Sequence, residues 1–421
     1  MAARVPTQEE MKELQRRRQA LLREDEDLFS SAPESSPSVM PKRSDKQMNL
    51  YLLDPAEPQI EYFEDDHCAL RAFQGVIANK LQDREKLSNL FTAWSSIPKY
   101  NGAALAGKSQ SVGEPLPILT HRFIHDGDEF VMKLTPAQIQ EVVDGKEESV
   151  FYYPGITEEY LELSLVKMAM ERAELFEPHR KGDGYAYGAT FSLSGIRNFM
   201  SAQKKGRTYP EIVKSLDILN KCNLEVIING ESTASAPILP EKLSHTQNGY
   251  KNADPSSRWS CRFHPLISTS INNRNYRQYN ITRLMDTKTR AALSLSKMLL
   301  TQARNLSSEH PFRIFYTDFV KHCGELNYTR RSDGIRKFIR TAESLKKFGT
   351  LSEVRVKKIF GSRSNRVVDV ELELFGSDGL IKEIKAGHVK ERVVLEQYEI
   401  ERKRLEKQES EATKQKKARS K

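Results

Sequence analysis

The sequence predicts an α+β protein whose centre is one unit used twice: a short strand, a brief helix, a second helix and a hairpin. Three observations lead there. Apolar residues pass from strand alternation to helical spacing and back in the same order over 191–271 and 312–375. A phenylalanine stands 17 residues before the threonine that opens the second helix in each copy, Phe191 before Thr208 and Phe312 before Thr329. Cations crowd the later copy.

In that later copy Phe312–Thr317 reads as a strand and Asp318–Gly324 as a brief helix closed by glycine. From Thr329 to Lys347, Ile335, Phe338, Ile339, Ala342 and Leu345 recur at helical spacing and form one apolar stripe. Arg330, Arg331, Arg336, Lys337, Arg340, Lys346 and Lys347 take the other positions, so one face packs and the other is cationic. Leu351–Ile359 and Val367–Leu374 alternate around Gly361–Asn365, which predicts a hairpin with Arg363 at its tip and Arg366 beside it. In the earlier copy Phe191–Ser194 is the strand and a helix follows to about Ser201. Thr208-Tyr-Pro-Glu211 then makes a capping box with proline in the first turn. Ile212 and Leu219 repeat the seven-residue spacing of Phe338 and Leu345. Leu224–Asn229, an Asn229-Gly230 turn and a loosely extended stretch to about Ile271 complete the copy as a second, longer wing. Strand, helix, basic helix and basic hairpin describe a winged-helix module. Two of them in tandem predict nucleic-acid binding, since such a hairpin can lie along phosphates.

The rest of the chain is arranged around these units. Residues 1–29 form an N-terminal helix opened by the capping box Thr7-Gln-Glu-Glu10, with a thin stripe of Met11, Leu14, Leu21 and Leu22. Residues 30–50 are a disordered Ser/Pro-rich linker, and 51–117 an N-terminal helical region, mostly helical over 59–97. The first winged-helix domain spans 118–280, introduced by a hairpin of Ile118–His125 and Asp128–Leu134 around Asp126-Gly127. Its leading helix is Thr157–Phe176, with Leu161, Leu165, Met168 and Ala173 on one face. Met285–Ala303 is the counterpart in the second domain, 281–376. A charged helical tail covers 377–421 and ends in Lys416-Lys-Ala-Arg-Ser-Lys421.

Charge is distributed to match. Residues 1–150 hold 18 Lys+Arg against 25 Asp+Glu, a net of −7, whereas 281–375 hold 19 against 10, a net of +9. Phosphate neutralisation supplies most sequence-independent affinity, so the asymmetry says where DNA should sit.

Several classes are disfavoured. No run is long enough to span a membrane, and Met1–Glu26 is too charged for a signal peptide, so a cytoplasmic protein is expected. Cys68, Cys222, Cys261 and Cys323 lie apart with no Cys-x-x-Cys pair, which reads as reduced structural thiols. Gly102-Ala-Ala-Leu-Ala-Gly107-Lys108-Ser109 has P-loop spacing. Yet Ser96-Ile-Pro-Lys-Tyr100 precedes it and Gln110-Ser-Val-Gly-Glu-Pro115 follows, where a P-loop needs a buried strand and then a helix. His121 and His125 read as ordinary residues of a strand, with His67 far upstream. The lack of a His-x-His pair argues against a metal-dependent nicking enzyme. No catalytic residue, metal or cofactor is expected.

The residues resemble those of plasmid replication initiators with tandem winged-helix domains, which bind repeated iterons at a plasmid origin. The resemblance covers about 118–375. It is carried by Tyr209-Pro-Glu-Ile-Val-Lys-Ser-Leu-Asp-Ile-Leu219 and by the run from Arg283 through Gly349. It implies a non-enzymatic bacterial protein that binds direct repeats of double-stranded origin DNA, promotes opening of an adjacent A·T-rich element and recruits host helicase and initiator proteins. It also implies a homodimer alongside a monomer that is the active DNA-binding form. The second domain would read the major groove through Arg330, Arg331, Arg336, Lys337, Arg340 and Lys347, with Arg363 and Arg366 on the wing. The first would contribute Lys204, Lys205, Arg207, Tyr209 and Lys214. Glu211 and Asp217 oppose phosphates there, so that domain mainly positions, dimerises or touches the backbone. Two other readings stand beside this one. A transcriptional or partition regulator with paired winged helices would bind a palindrome as a stable dimer, and an ATP-dependent helicase loader would use Gly102–Ser109.

Gln47-Met48-Asn-Leu50-Tyr51 resembles the glutamine-led peptide by which bacterial replication proteins dock on the sliding clamp, with Leu50 and Tyr51 as apolar anchors. A peptide spanning Ser44–Pro55 is expected to bind purified bacterial clamp with micromolar affinity in calorimetry, and joint replacement Leu50→Ala and Tyr51→Ala to abolish it. A wild-type peptide that gives no heat would return both residues to the protein core.

Overall fold

Between Glu85 and Arg392 apolar residues recur throughout the chain, and the fold that buries them is mixed α+β. The computed structural model describes residues 85–176, 186–245, 253–361 and 364–392, with single positions at 70, 73–75, 396, 403 and 407. All of them belong to one compact unit, Tyr51–Lys421. The expected helix at 1–29, the linker, and the peptide Gln47, Met48, Leu50 and Tyr51 lie outside the described residues.

The chain opens with β1 (Leu87–Phe91), α1 (Thr92–Ser96) and α2 (Gly102–Ala106). Strands β2 (Gln110–Val112), β3 (Leu119–His125), β4 (Asp128–Thr135), β5 (Ala137–Val143) and β6 (Lys146–Tyr152) come next. A long helix α3 (Ile156–Arg172) leads to β7 (Ala173–Phe176), β8 (Ala186–Ser192), α4 (Leu193–Ala202) and α5 (Tyr209–Lys221). Then come β9 (Asn223–Ile228), β10 (Glu231–Pro237), β11 (Glu241–Ser244), β12 (Arg258–Arg262), α6 (Pro265–Asn272) and β13 (Tyr276–Asn280). The later copy comprises α7 (Ile281–Met285), α8 (Arg290–Gln302), β14 (Phe312–Phe315), α9 (Tyr316–Cys323), α10 (Arg331–Lys347), β15 (Leu351–Gly361) and β16 (Ser364–Gly376). Residues 378–392 are helical.

Local signals account for most of these elements. Thr208 caps α5 with the full reciprocal box to Glu211, and proline sits in the first turn. Asp126 and Gly127, at φ 52° and 90°, close the β3–β4 hairpin, and Asn229 and Gly230, at φ 51° and 83°, close β9–β10. Asp144 and Gly145 do the same for β5–β6, a hairpin the sequence signals equally well but which was not expected.

Four expectations change. Leu87–Phe91, expected within a helical region, is a strand paired antiparallel with Tyr276–Asn280. All five of its residues are buried, and a short buried run carries no period that separates strand from helix. The leading helix of the first copy ends at Arg172, and Ala173–Phe176 form β7 against β8. Helix α3 is also buried on almost every side, with Tyr160, Leu161, Leu165, Val166, Ala169 and Met170 in the core, and is not a one-faced helix. Last, the stretch to Ile271 is no single long wing. β9 and β10 join β4 and β3, β11 and β12 join β8 and β7, and Pro265–Asn272 is the helix α6. His264 opens α6 by accepting a hydrogen bond from Leu266 N at its Nδ1, ahead of proline in the first turn. The later copy, by contrast, gathers all its strands in one sheet of order β14-β16-β15.

One apolar core runs through these elements, and α3 threads it with three carboxylates. Glu158 accepts from Ser215 Oγ of α5 at 2.7 Å. Glu159 pairs with Lys297 of α8. Glu162 accepts hydrogen bonds from Trp94 Nε1 and the Tyr100 hydroxyl and lies 3.7 Å from Lys99 Nζ. Burial brings Lys99 down to about 8, with Glu162 working against the shift.

A second buried cation docks the 378–392 helix. Lys390 is 2% exposed, donates to Asn89 Oδ1 at 3.1 Å and faces the Tyr276 ring at 5.4 Å. Desolvation pushes its ammonium down to about 7. An unfolded lysine holds its proton up to about 10.4, so between those values the unfolded state binds more protons and stability rises with pH. This group should add about 2 kcal/mol to the unfolding free energy between pH 7 and pH 9. Lys390→Met should remove that increment relative to wild type in urea titrations at the two pH values; an unchanged difference would mean that Lys390 stays charged in the fold.

Candidate nucleic-acid interface

Helix α10 is built on contact with α9. Gly334 has no room for a side chain, because a Cβ there would meet the Tyr316 hydroxyl at 2.0 Å. That hydroxyl donates to Leu326 O at 2.8 Å, so the close approach is fixed by a hydrogen bond. Phe338 packs on Phe319 at 5.0 Å and on Tyr316 at 5.9 Å between ring centroids. Ile335, Ala342 and Leu345 complete the buried stripe with Ile339 half-buried, as the periodicity predicts. Gly324 at φ 70° closes α9 as expected.

The opposite face of α10 is cationic and open. Arg330, Arg331, Arg336, Lys337, Arg340, Lys346 and Lys347 are all exposed. Lys337, Arg340, Lys346 and Lys347 make no ion pair among the described residues. Arg336 reaches back to Asp333 at 3.3 Å, an exposed pair of little worth. Arg331 differs: its Nη2 donates to Thr317 Oγ1 at 2.6 Å and lies 3.8 Å from Asp369 Oδ2.

Asp369 joins the hairpin to the helices. Its Oδ2 accepts from Thr317 Oγ1 at 2.5 Å and its Oδ1 from Thr317 N at 3.3 Å, and Asp369 itself stands opposite Ile359 in the β15–β16 ladder. The start of α9, the first turn of α10 and the base of the hairpin's outer half therefore share one carboxylate. On β15, Arg355 pairs with Glu353 at 2.8 Å and Lys357 with Glu373 at 2.6 Å. Lys358 and Arg366 are exposed and make no ion pair among the described residues. Lys358 was missed at the sequence level, although the Lys357-Lys358 pair in an alternating strand was its signal. Arg363 lies outside the described residues.

In the earlier copy most of the expected contact residues are engaged within the fold. Lys205 donates to Thr287 O at 2.8 Å and lies over the Tyr160 ring. Arg207 donates to Thr157 Oγ1 at 3.2 Å. Lys214 bridges Glu141, at 2.8 Å, and the Tyr152 hydroxyl, at 2.9 Å. Tyr209 is half-buried beneath the guanidinium of Arg197, an exposed cation that sequence reasoning also passed over. Lys204 alone of the five is exposed without an ion pair among the described residues, at a left-handed φ of 60°.

The other candidate chemistry does not assemble. In Gly102–Ser109 the short helix precedes Lys108, and Gly107 at φ 79° ends it, the reverse of a loop that opens a helix around phosphate. Gly102 is small because Tyr153 Cβ would lie 2.5 Å from any added Cβ. His121 Nε2 sits 3.0 Å from His322 O and His322 Nδ1 3.3 Å from Ile124 O, at a cleft of about 940 Å³ between β3 and α9. Burial lowers His322 to about 4, so the ring is neutral at pH 7. Among the described residues no group of three His, Cys, Asp or Glu could hold a metal. Cys222, Cys261 and Cys323 are buried and form no disulfide among the described residues, and no described helix is long and apolar enough to cross a membrane.

Asp369→Ala should cost about 1–3 kcal/mol in urea unfolding, because two Thr317 donors lose their acceptor and Arg331 loses its counter-charge. Lys337→Ala, on the open face, should stay within about 0.5 kcal/mol of wild type. Equal effects of the two substitutions would show that Asp369 does not tie the hairpin to the helices.

No family model and no curated protein matches the chain. Among solved structures, a crystal structure of domains 2 and 3 of RctB aligns over 66% of this chain and 99% of that chain at 11% identity and a TM-score of 0.38. A second structure of the same RctB domains aligns over 66% and 95% at 10% identity and 0.36. The Pi initiator protein in complex with iteron DNA aligns over 53% and 90% at 12% identity and 0.36.

Proposed function

We propose that this chain is a sequence-specific DNA-binding protein that initiates replication, reading direct repeats of double-stranded origin DNA through a winged helix at 281–376. The observation that carries the reading is the cationic face of α10. Seven exposed arginines and lysines lie along α10 and its N-cap on a helix whose other face is buried, with a basic hairpin tied to its first turn. A helix of that size fits the major groove, and arginine forks suit guanine edges and phosphates. The sheet β14-β16-β15 behind two helices supports a winged-helix assignment.

The region 118–280 acts as the companion winged-helix domain. Its cations, mostly engaged within the domain, suit it to positioning or self-association more than to base reading. In this reading the work is done by binding energy without a nucleotide or metal: several molecules on tandem sites bend the DNA, open an adjacent A·T-rich element, and bring in host helicase and clamp in a bacterial cytoplasm. Gln47, Met48, Leu50 and Tyr51 would supply the clamp contact.

Anisotropy titrations on a duplex with several direct repeats should give an affinity that falls steeply with salt, with a log–log slope of about −5. Arg340→Ala should weaken cognate binding by about 1–3 kcal/mol if it reads a base, or flatten the slope by about 1 if it meets phosphate. Lys214→Ala should do neither. Failure of the wild-type chain to bind duplex DNA at 50 mM salt would end this reading, and a stable dimer that prefers a palindrome would replace initiation with transcriptional or partition control.

A further inference from the structure

The outer half of the β15–β16 hairpin carries exposed apolar side chains among its polar ones. Phe360 is 56% exposed, and Ile359 and Val368 are more than a third exposed beside it. β15 is an edge strand, which soluble proteins ordinarily blunt with charge. One exposed apolar side chain needs no explanation, but three together on the arm of a hairpin do. The ladder also breaks at this point. The register shifts between Ile359 and Phe360 and again between Phe360 and Gly361, so the strand twists and its side chains are re-aimed.

We infer that Phe360 is a wedge that enters the minor groove beside the site read by α10 and unstacks a base step there. The inference rests on the reading of α10 given above. Its occupant must offer phosphate to Lys358 and Arg366 and an apolar face to Phe360 within a few ångströms, and duplex DNA offers both. Position agrees with chemistry. Asp369, opposite Ile359 in the ladder, ties the arm to Thr317 and Arg331, so the arm leaves the body at the N-terminal end of α10, the end that meets bases in helices of this kind. From the last buried rung, Lys358 opposite Val370, three further residues reach Gly361, roughly 10 Å of strand. The minor groove is about 7.5 Å deep, so the arm spans it. Flexible pyrimidine–purine steps, plentiful in A·T-rich DNA, are the ones that yield to such a wedge.

The full chain is titrated onto repeat-containing duplexes carrying 2-aminopurine at successive positions flanking the repeat. Wild type should raise fluorescence by about threefold or more at one or two adjacent steps, as expected for local unstacking. Phe360→Ala should abolish the rise and weaken binding about tenfold while the dependence on salt keeps its slope. Phe360→Trp should restore the rise. Circular dichroism melts of both variants should match wild type, because the ring is more than half exposed. A Phe360→Ala chain that binds DNA and keeps the wild-type fluorescence pattern overturns the wedge. So does one that keeps the pattern but changes mass in sedimentation, which would make the hairpin arm a protein contact. Absence of DNA binding by wild type, or an Arg340→Ala chain that binds like wild type, would instead remove the reading of α10.

Discussion

The arrangement depends on three carboxylates carried through the apolar core by one buried helix. Glu158, Glu159 and Glu162 of α3 each find their partner on a different element: Ser215 on α5, Lys297 on α8, and the Trp94, Lys99 and Tyr100 cluster before α2. An ion pair in such a place adds little net stability over a well-packed apolar substitute, but losing one partner strands the other charge out of water. Alternative packings are therefore penalised more than the native one is favoured, and the row acts mainly as a register mark. Through Lys297 it sets α8, which in turn supports α10, so the basic face is aimed by charges deep in the core.

How legible this was depends on whether a signal is local. The capping box at Thr208, the hairpin turns at Asp126-Gly127 and Asn229-Gly230, and the buried stripe of α10 were readable because each is fixed by residues within a turn or two. Leu87–Phe91 was not, since its strand exists only through Tyr276–Asn280, almost 190 residues away. Pro265–Asn272 carried a start signal in His264 and Pro265 that the extended reading of its surroundings obscured. At the candidate site, exposure of the α10 cations followed from periodicity. The internal engagement of Lys205 and Lys214 did not, because Thr287 O and Glu141 come from elements far off in sequence.

That difference changes what the net charge means. Counted along the chain, both copies offer cations, yet a lysine already held by a carboxylate releases few counterions on meeting DNA. The two copies thus differ in how many of their expected contacts stay open to solvent, which sequence counts do not show. Arg331 stands between the cases: it is half exposed, but its guanidinium is anchored beside Asp369, so it trades freedom for a fixed direction.

Gly334 gives α10 a further property. Glycine inside a helix costs about 1 kcal/mol relative to alanine, and this helix is already rich in like charges, so on its own it is a poor helix. It acquires order from Tyr316, whose hydroxyl occupies the space a side chain would need. A chain that has not yet brought α9 and α10 together carries the same cations on a loose segment with no fixed spacing. On the proposed reading, the spacing of the α10 cations that recognition needs would exist only once α9 and α10 have packed.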